Sequence, residues 1–243
     1  MLDGVAAAIL AGGAGTRLRP AVADRPKVLA PVRGRPFVTY LLDQLARAGA
    51  AEVVLLTGHR AAQVRDALGE RYGPMRLRYS EEPAPLGTGG AVRHALPLLA
   101  GDRVLLLNGD SYCDVELGDF VEAHSRGDAD AALVLARVAD TGRYGRVAVD
   151  EEGRVERFEE KAASSGPGWI NAGVYLLRRG WVASWPDGPL SLERDLLPAA
   201  VAAGRAWGYH CEGDFLDIGT PQSFRESESF FACRGAGIPA CHF

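Results

Sequence analysis

Short apolar runs alternate with segments of helical spacing along the first half of the chain. The run from Val5 to Leu10 predicts a buried strand that leads into the glycine-rich segment 11–15. Apolar residues at helical spacing from Pro36 to Ala46 predict a helix that ends near Gly49. A second strand-like run, Glu52 to Thr57, follows directly, so this part of the chain reads as a βαβ unit.

The same patterns predict the remaining elements. They give helices at 61–68, 89–99, 192–203 and 221–230, and strands at 75–79, 103–107, 131–136, 145–149, 155–159 and 170–177. Strands that alternate with helices predict an α/β fold, a Rossmann-like, mostly parallel sheet with helices on both faces and ligands at the carboxyl ends of the strands. We expect one domain, 1–232, with halves of about 1–127 and 128–232, and a flexible tail at 233–243.

Composition narrows the classes of partner. The 243 residues are 47% hydrophobic, enough for one large core, and 27 basic against 31 acidic residues give a net charge of −4. Because the basic residues form no tract, we expect no nucleic acid partner. The apolar runs are too short to span a bilayer and no signal peptide is evident, so we expect a cytoplasmic protein without membrane contact. The four cysteines lack metal-ligand spacing and are expected to be structural thiols.

A glycine-rich loop, Gly12-Gly13-Ala14-Gly15-Thr16-Arg17, follows the first strand. Glycines let the backbone approach phosphate groups and turn N–H groups toward them, although a bare turn explains the loop equally well. A P-loop would need Gly-Lys-Ser/Thr at its end, and a dinucleotide-binding loop would need glycine in place of Leu18. Lys27 follows on a loop stiffened by prolines, which suits a placed charge, whereas a lone lysine is usually solvated.

Other polar motifs have ordinary structural explanations when taken singly. Asn108-Gly109-Asp110 suits a turn, and Asp217 a helix N-cap. Glu160-Lys161 suits an exposed ion pair, and Asn171-Ala172-Gly173 a bulge at a strand edge. Turn, cap and bulge chemistry does not explain why all of them occur in one chain in this order.

The order resembles that of the sugar-1-phosphate nucleotidyltransferases. The matching segments are Leu10 to Pro20, Arg25 to Val32, Gly34 to Pro36, Pro85 to Ala91, Asn108 to Asp110, Phe158 to Lys161, Asn171 to Tyr175 and Asp217 to Pro221. They cover nearly the whole chain apart from its tail. Within the family the chain is similar to short guanylyltransferases that act on D-glycero-D-manno-heptose 1-phosphate and carry no C-terminal β-helix, although Arg35 stands where lysine often follows this glycine.

The resemblance implies a role for each matching residue. The halves become a nucleotide-binding half and a sugar-binding half. Nucleotide contacts are expected from Leu10, Gly12, Gly13, Gly15, Thr16, Glu82, Gly87, Thr88 and Asn108. Contacts to the sugar phosphate are expected from Gly145, Glu160, Lys161, Asn171 and Gly173. The catalytic cations are Arg17, Lys27 and Lys161, and the Mg²⁺ ligands are Asp110 and Asp217.

Physical chemistry agrees with these expected roles. Displacement at a phosphorus atom depends on positioning and on cations placed where negative charge gathers, and Mg²⁺ accepts one or two carboxylates beside phosphates and water. The attacking sugar phosphate is already ionised, so no general base is required. The implied partners are a nucleoside triphosphate and a sugar 1-phosphate. Whether the chain also forms a homo-oligomer is left open.

Glu82 lies five residues before Gly87, in what resembles the base-reading segment of the family. A carboxylate only accepts hydrogen bonds, and guanine presents two adjacent donors, whereas uracil and thymine offer one donor between two acceptors. Glutamate therefore favours GTP. Glu81 is an alternative reader, and both glutamates fit simple solvated loop charges.

Several functions remain in competition. A heptose 1-phosphate guanylyltransferase leads, and the enzymatic alternatives are a mannose 1-phosphate guanylyltransferase or a uridylyl- or thymidylyltransferase for another sugar 1-phosphate. A regulatory protein that binds sugar nucleotides without catalysis would be expected to have lost the charged residues that are retained here. A nicotinamide-dependent dehydrogenase lacks its third glycine.

Overall fold

The computed structural model describes residues 2, 4–13, 15, 18, 22, 24–125, 127–144, 146–159 and 166–235. Within them the strands are β1 (Val5–Leu10), β2 (Pro31–Val32), β3 (Arg35–Pro36), β4 (Glu52–Thr57), β5 (Arg71–Tyr72), β6 (Met75–Glu81), β7 (Arg103–Asn108), β8 (Ser111–Cys113), β9 (Ala131–Val138), β10 (Arg146–Val149), β11 (Val155–Glu159), β12 (Gly168–Arg178), β13 (Ala206–Cys211) and β14 (Phe215–Asp217). The α-helices are α1 (Val38–Arg47), α2 (Ala61–Leu68), α3 (Gly87–Ala95), α4 (Leu117–Ser125), α5 (Arg179–Ala183), α6 (Leu197–Ala202) and α7 (Pro221–Gly235). Short 3-10 turns lie at Lys27–Leu29 and Leu96–Leu98, and a π-helical turn at Leu192–Leu196.

A mixed sheet forms the centre of the molecule, and its middle strands are parallel. The parallel strands lie in the order β7, β1, β4 and β6, with Ala7 of β1 between Leu105 and Val53. Strand β12 joins β7 antiparallel and carries β10 and β9, and β13 runs parallel to β9. The predicted Rossmann-like fold is therefore confirmed, with the antiparallel strands concentrated in the second half.

Helices cover both faces of the sheet because the inner strands are apolar on both sides. Ile9 faces one core, where α1, α4 and α7 pack with residues such as Leu41 and Phe120. Ala8 faces the other core, where α3, α5 and α6 contribute residues such as Val92 and Leu197. Alternate strand residues thus supply two separate cores, as expected for a strand buried on both faces.

Most predicted elements are present, with some corrected bounds. Strands β1, β4 and β11 and helix α2 have the predicted limits. The helix predicted at 89–99 begins two residues earlier and finishes as a 3-10 turn, and that predicted at 192–203 begins as a π-helical turn. Helix α4 and strand β13 were not predicted. Helix α7 reaches Gly235, three residues into the predicted tail, and 236–243 lie outside the described residues. The flexibility of the tail stays a prediction.

The parallel strands end at one edge of the sheet, and the ends of β1 and β7 are in close contact there. The Gly109 N–H, just after β7, donates to the carbonyl oxygen of Leu10 at 3.0 Å. A Cβ at position 109 would overlap that carbonyl, so only glycine permits this approach. None of the described helices combines the length and hydrophobicity needed to cross a bilayer.

Candidate active site

A pocket of about 420 Å³ opens where the parallel strands end. Ten predicted site residues line it: Leu10, Gly12, Gly13, Gly15, Lys27, Glu82, Gly87, Thr88, Asn108 and Asp110. Further lining residues that the sequence analysis did not select are Leu18, Val28, Leu56, Pro85, Ala91, Gly109 and Gly219. Because many of these added residues are apolar, the pocket combines polar and apolar lining, as sites for small organic ligands usually do.

Lys27 lies inside the pocket and is not a solvated surface lysine. Its Nζ is 2.6 Å from Oδ2 of Asp110, with the lysine side chain 11% and the aspartate side chain 44% exposed. The 3-10 turn at Lys27–Leu29 carries it, and Gly15 of the glycine loop packs against its Cβ. The loop, the cation and the carboxylate are therefore neighbours, although they are far apart in sequence.

Asp217 lies beside Asp110 because β14 pairs with β8. Asp217 is the cross-strand partner of Ser111, and the Ile218 N–H donates to the Asp110 carbonyl oxygen at 2.9 Å. Oδ2 of Asp217 accepts from the Tyr144 hydroxyl at 2.6 Å and from Arg143 at 3.1 Å.

The hydrogen bond between Tyr144 and Asp217 has a fixed direction. Burial, followed by the neighbouring Asp217 charge, raises the pKa of Tyr144 well above its usual value. Tyr144 therefore keeps its proton and holds the carboxylate in place.

The two aspartates fit a Mg²⁺ ion that also binds phosphates. Mg²⁺ takes oxygen ligands and commonly uses one or two carboxylates, filling its other positions with phosphate oxygens and water. Asp110, just before β8, and Asp217, at the end of the neighbouring β14, offer such oxygens. In the part of the chain that the structure describes, no cluster of three or more acidic, histidine or cysteine side chains forms an all-protein metal site. The donor set thus suits a metal shared with substrate.

Glu82, and not Glu81, lines the pocket. Oε2 of Glu82 accepts from the Leu86 N–H at 3.0 Å, which closes the loop before α3. Oε1 lies over Gly58 and Gly12, where a Cβ at either position would meet it closely. Gly58, which follows β4 and escaped the sequence analysis, therefore makes room for the Glu82 carboxylate.

Thr88 joins the pocket to a partly buried chain of hydrogen bonds. Its hydroxyl donates to Oε2 of Glu193 at 2.7 Å, and Oε1 of Glu193 accepts from the Tyr175 hydroxyl at 3.3 Å. Tyr175 in turn accepts from Nδ2 of Asn171 at 2.8 Å. Burial, then the Glu193 charge, raises the pKa of Tyr175 well above its usual value, while hydrogen bonds from Asn171 and Asn108 oppose the shift. Sequence reasoning missed Glu193, because only its placement in a helix was predicted.

Asn171 and Gly173 lie at an irregularity in β12. The register with β9 shifts between Asn171 and Tyr175, as at a bulge, but on an inner strand of the sheet and not at the strand edge proposed as an ordinary explanation. Gly173 has φ +76°, and a Cβ there would lie 2.6 Å from Nδ2 of Asn108. The bulge brings the second half of the chain against the end of β7, as bulges next to functional sites often do. Asn171 and Gly173 are not among the residues that line the pocket itself.

Several predicted site residues have no described position. Thr16, Arg17, Gly145, Glu160 and Lys161 lie outside the described residues. Their expected contacts with the triphosphate and the sugar phosphate therefore remain predictions from the resemblance.

The fold and pocket together define a class of protein. Rossmann-like sheets bind ligands where their parallel strands end, and here that edge holds a glycine loop, a buried lysine and neighbouring carboxylates. The chain is therefore an α/β protein with a Rossmann-like sheet, and the groups that line its pocket are of the kind suited to phosphate.

Comparison with known proteins makes the class specific. Residues 6–233 match the model of the Nucleotidyl transferase family, and the chain belongs to this family. It is 37% identical to mannose-1-phosphate guanylyltransferase of Mycobacterium tuberculosis over 224 residues, covering 90% of this chain and 62% of that protein. It is 34% identical to D-glycero-alpha-D-manno-heptose 1-phosphate guanylyltransferase of Aneurinibacillus thermoaerophilus, covering 91% of this chain and 96% of that protein.

A solved structure is similar in fold and in length. HddC from Yersinia pseudotuberculosis superimposes with a TM-score of 0.83 at 31% identity, covering 93% of this chain and 98% of that chain. The same protein has also been solved in complex with GMP-PN. By contrast, this chain spans about three fifths of the length of the mannose-1-phosphate guanylyltransferases that it matches.

Proposed function

We propose that the chain is a sugar-1-phosphate guanylyltransferase. An oxygen of the sugar 1-phosphate attacks the α-phosphorus of GTP, the bond from that phosphorus to the bridging oxygen breaks, and pyrophosphate leaves. The observation that carries the proposal is the pocket in which the glycine loop, Lys27, Asp110 and Glu82 meet at the strand ends. Family membership and the named relatives support the reaction class.

The residues of the chain hold and orient the reacting groups. Lys27 is placed to neutralise phosphate oxygens, since its ammonium group lies in the pocket beside Asp110. Asp110 and Asp217 would hold Mg²⁺, which when bound supplies positive charge to the phosphate oxygens. Arg17 and Lys161 are assigned by resemblance to the leaving pyrophosphate and the sugar phosphate. Positioning and charge neutralisation account for most of the catalysis expected in such a reaction.

We assign reading of the base to Glu82. Its carboxylate lines the pocket next to the glycine loop, and a group that only accepts hydrogen bonds complements the adjacent N1–H and N2 amino donors of guanine. The GMP-PN complex of HddC supports a guanine nucleotide as the partner.

For the sugar we propose D-glycero-D-manno-heptose 1-phosphate, with mannose 1-phosphate as the second candidate. The heptose enzyme of Aneurinibacillus thermoaerophilus is matched over 96% of its length, which supports the first. The higher identity of 37% to the mycobacterial mannose enzyme, over 62% of that protein, supports the second.

A screen of pyrophosphate release tests the proposal. Purified protein with Mg²⁺ is assayed with GTP, UTP, dTTP, CTP and ATP, each combined with heptose, mannose and glucose 1-phosphates, and Asp110→Asn serves as the inactive control. We expect GTP with heptose 1-phosphate to give the highest kcat/KM. A preference for UTP or dTTP would overturn the guanylyl assignment. Binding of nucleotide without turnover of any pair would favour a regulatory protein instead.

A further inference from the structure

Glu193 connects Thr88, in the nucleotide-binding half of the chain, to Tyr175, in the sugar-binding half, and does not itself line the pocket. It lies on the π-helical turn Leu192–Leu196, and such turns occur frequently at functional sites. Its carboxylate accepts from Thr88 at 2.7 Å, from Tyr175 at 3.3 Å and from Ser191 at 3.3 Å. Neither the sequence motifs nor the proposed mechanism uses this residue.

The carboxylate fixes the direction of the Thr88 hydrogen bonds. A carboxylate only accepts, so the single hydroxyl proton of Thr88 is committed to Glu193. The Thr88 oxygen also accepts from the Leu192 N–H at 2.8 Å, which uses one of its two lone pairs. Since Thr88 lines the pocket, it offers a ligand the remaining lone pair, and therefore an acceptor.

The same carboxylate fixes the direction of the hydrogen bonds at Asn171. Tyr175 gives its proton to Glu193 and accepts from Nδ2 of Asn171 at 2.8 Å. Oδ1 of Asn171 accepts from the Gly173 N–H at 3.0 Å, which fixes the orientation of the amide. Nδ2 of Asn171 carries a second hydrogen, and the described residues show no acceptor for it.

We propose that Glu193 is a positioning residue that makes Thr88 an acceptor and Asn171 a donor toward the substrate. A hydroxyl group can satisfy both partners, because it donates one hydrogen bond and accepts others. The ligand class is therefore a polyol such as the sugar ring, so this proposal moves Thr88 from the nucleotide contacts expected by resemblance to the contacts with the sugar. This inference rests on the proposed function for the identity of that sugar.

Glu193→Gln tests the inference, because glutamine has nearly the same shape and its amide nitrogen donates instead of accepting. We expect the KM for the sugar 1-phosphate to rise about tenfold or more, with a smaller fall in kcat. Asp195→Asn is the matched control. It removes the same charge from the same turn, where the exposed Asp195 side chain accepts, among the described residues, from the Ser191 N–H at 2.7 Å. This control should keep the wild-type KM.

Two further variants separate positioning from simple structural support. Glu193→Asp keeps an acceptor-only group and should retain more affinity for the sugar than Glu193→Gln. In a double-mutant cycle, Glu193→Gln should have a smaller effect on KM when Thr88→Val is already present, because both changes act on one hydrogen bond. Additive effects, or equal losses in the Gln and Asp variants, would overturn the inference.

Calorimetric titration with mannose 1-phosphate gives a measure that does not depend on turnover. Binding should weaken in Glu193→Gln by a factor similar to the change in KM, and unchanged binding would count against the role of Glu193. Absence of pyrophosphate release by the wild-type protein would count against the proposed function alone. If Glu193→Gln fails to fold, Glu193→Asp and Thr88→Val are compared in the same titration, and wild-type affinity in both would refute the proposal.

Discussion

At the scale of single residues, Glu82 is the group on which the choice of base depends. Glu82→Gln should reduce the preference for GTP over UTP or dTTP by about tenfold, since an amide can both donate and accept. Gly58→Ala should act in the same direction without touching Glu82 itself, because its methyl group would displace the carboxylate. The measurement is kcat/KM for each nucleotide.

Glu81→Gln is the control for this prediction. Glu81 is exposed and does not line the pocket, so its replacement should leave the selectivity among nucleotides unchanged. If Glu81→Gln reduced the preference for GTP over UTP or dTTP and Glu82→Gln did not, Glu81 would be the residue that reads the base.

The pair Tyr144 and Asp217 leads to a graded prediction for the metal. Asp110→Asn and Asp217→Asn should each remove most activity, whereas Tyr144→Phe, which removes only the 2.6 Å hydrogen bond, should raise the Mg²⁺ concentration for half-maximal rate severalfold. Pyrophosphate release is measured against Mg²⁺ concentration. Near-normal turnover of Asp110→Asn at limiting Mg²⁺ would refute the metal assignment.

At the scale of elements, the glycines that begin α3 serve packing as well as the pocket. The Gly89 N–H donates to the Leu190 carbonyl oxygen at 2.9 Å, and a Cβ at Gly90 would overlap the carbonyl oxygen of Gly188. Because the obstacle is backbone, it cannot move aside as a flexible side chain would. These glycines therefore allow the segment before the π-helical turn to lie directly on α3.

Gly90→Ala should consequently destabilise the fold, by about 1–3 kcal/mol as is usual for overpacking. Gly118→Ala is the matched control. Gly118 also lies in a helix, α4, with open space where its Cβ would be, so alanine should stabilise by about 0.5–1 kcal/mol. Urea unfolding of both variants provides the comparison, and equal stability of the two would refute the packing argument.

At the scale of the whole molecule, Asp130 ties the inner strand β12 of the second half to the edge strand β13. Its buried carboxylate pairs with Arg178 at the end of β12 and with Arg205 just before β13. Burial by itself raises the pKa of Asp130, but the hydrogen bonds from Arg205 and Arg178 outweigh it, and the pKa lies below its usual 3.8.

This lowered pKa fixes the sign of a pH effect. The unfolded chain takes up the proton at higher pH than the folded protein does, so the stabilisation is complete above 3.8 and is lost as the pH falls through the folded pKa. Asp130→Asn should destabilise the protein at pH 7 by about 1–2 kcal/mol, since it removes the negative charge that Arg178 and Arg205, 42% and 39% exposed, hydrogen-bond. The difference in the free energy of unfolding between Asp130→Asn and the wild type should decrease toward pH ~3. Thermal unfolding of both proteins at pH 7 and pH ~3 checks this prediction, and an equal difference in stability at the two pH values would refute it.

The sequence by itself determined the order of the elements and most of the pocket lining. Apolar runs and helical spacing are local properties, so β1, β4 and α2 were predicted with their observed bounds. The pattern placed Gly12-Gly13 and Asn108-Gly109-Asp110 at strand ends, where ligands gather in this fold, and the other pocket residues were expected from the resemblance to a known family. Strand β13 was missed because it has no clear alternation, with Gly208 in its middle.

Only the tertiary structure decided which polar groups meet. Lys27 and Asp110 are 83 residues apart, Tyr144 and Asp217 are 73 apart, and Thr88 and Glu193 are 105 apart. It also decided that Glu82, and not Glu81, lines the pocket, since adjacent residues leaving a strand point to opposite sides. Such partnerships depend on strand pairing and helix docking across the whole chain, and no local pattern of hydrophobic and polar residues encodes them.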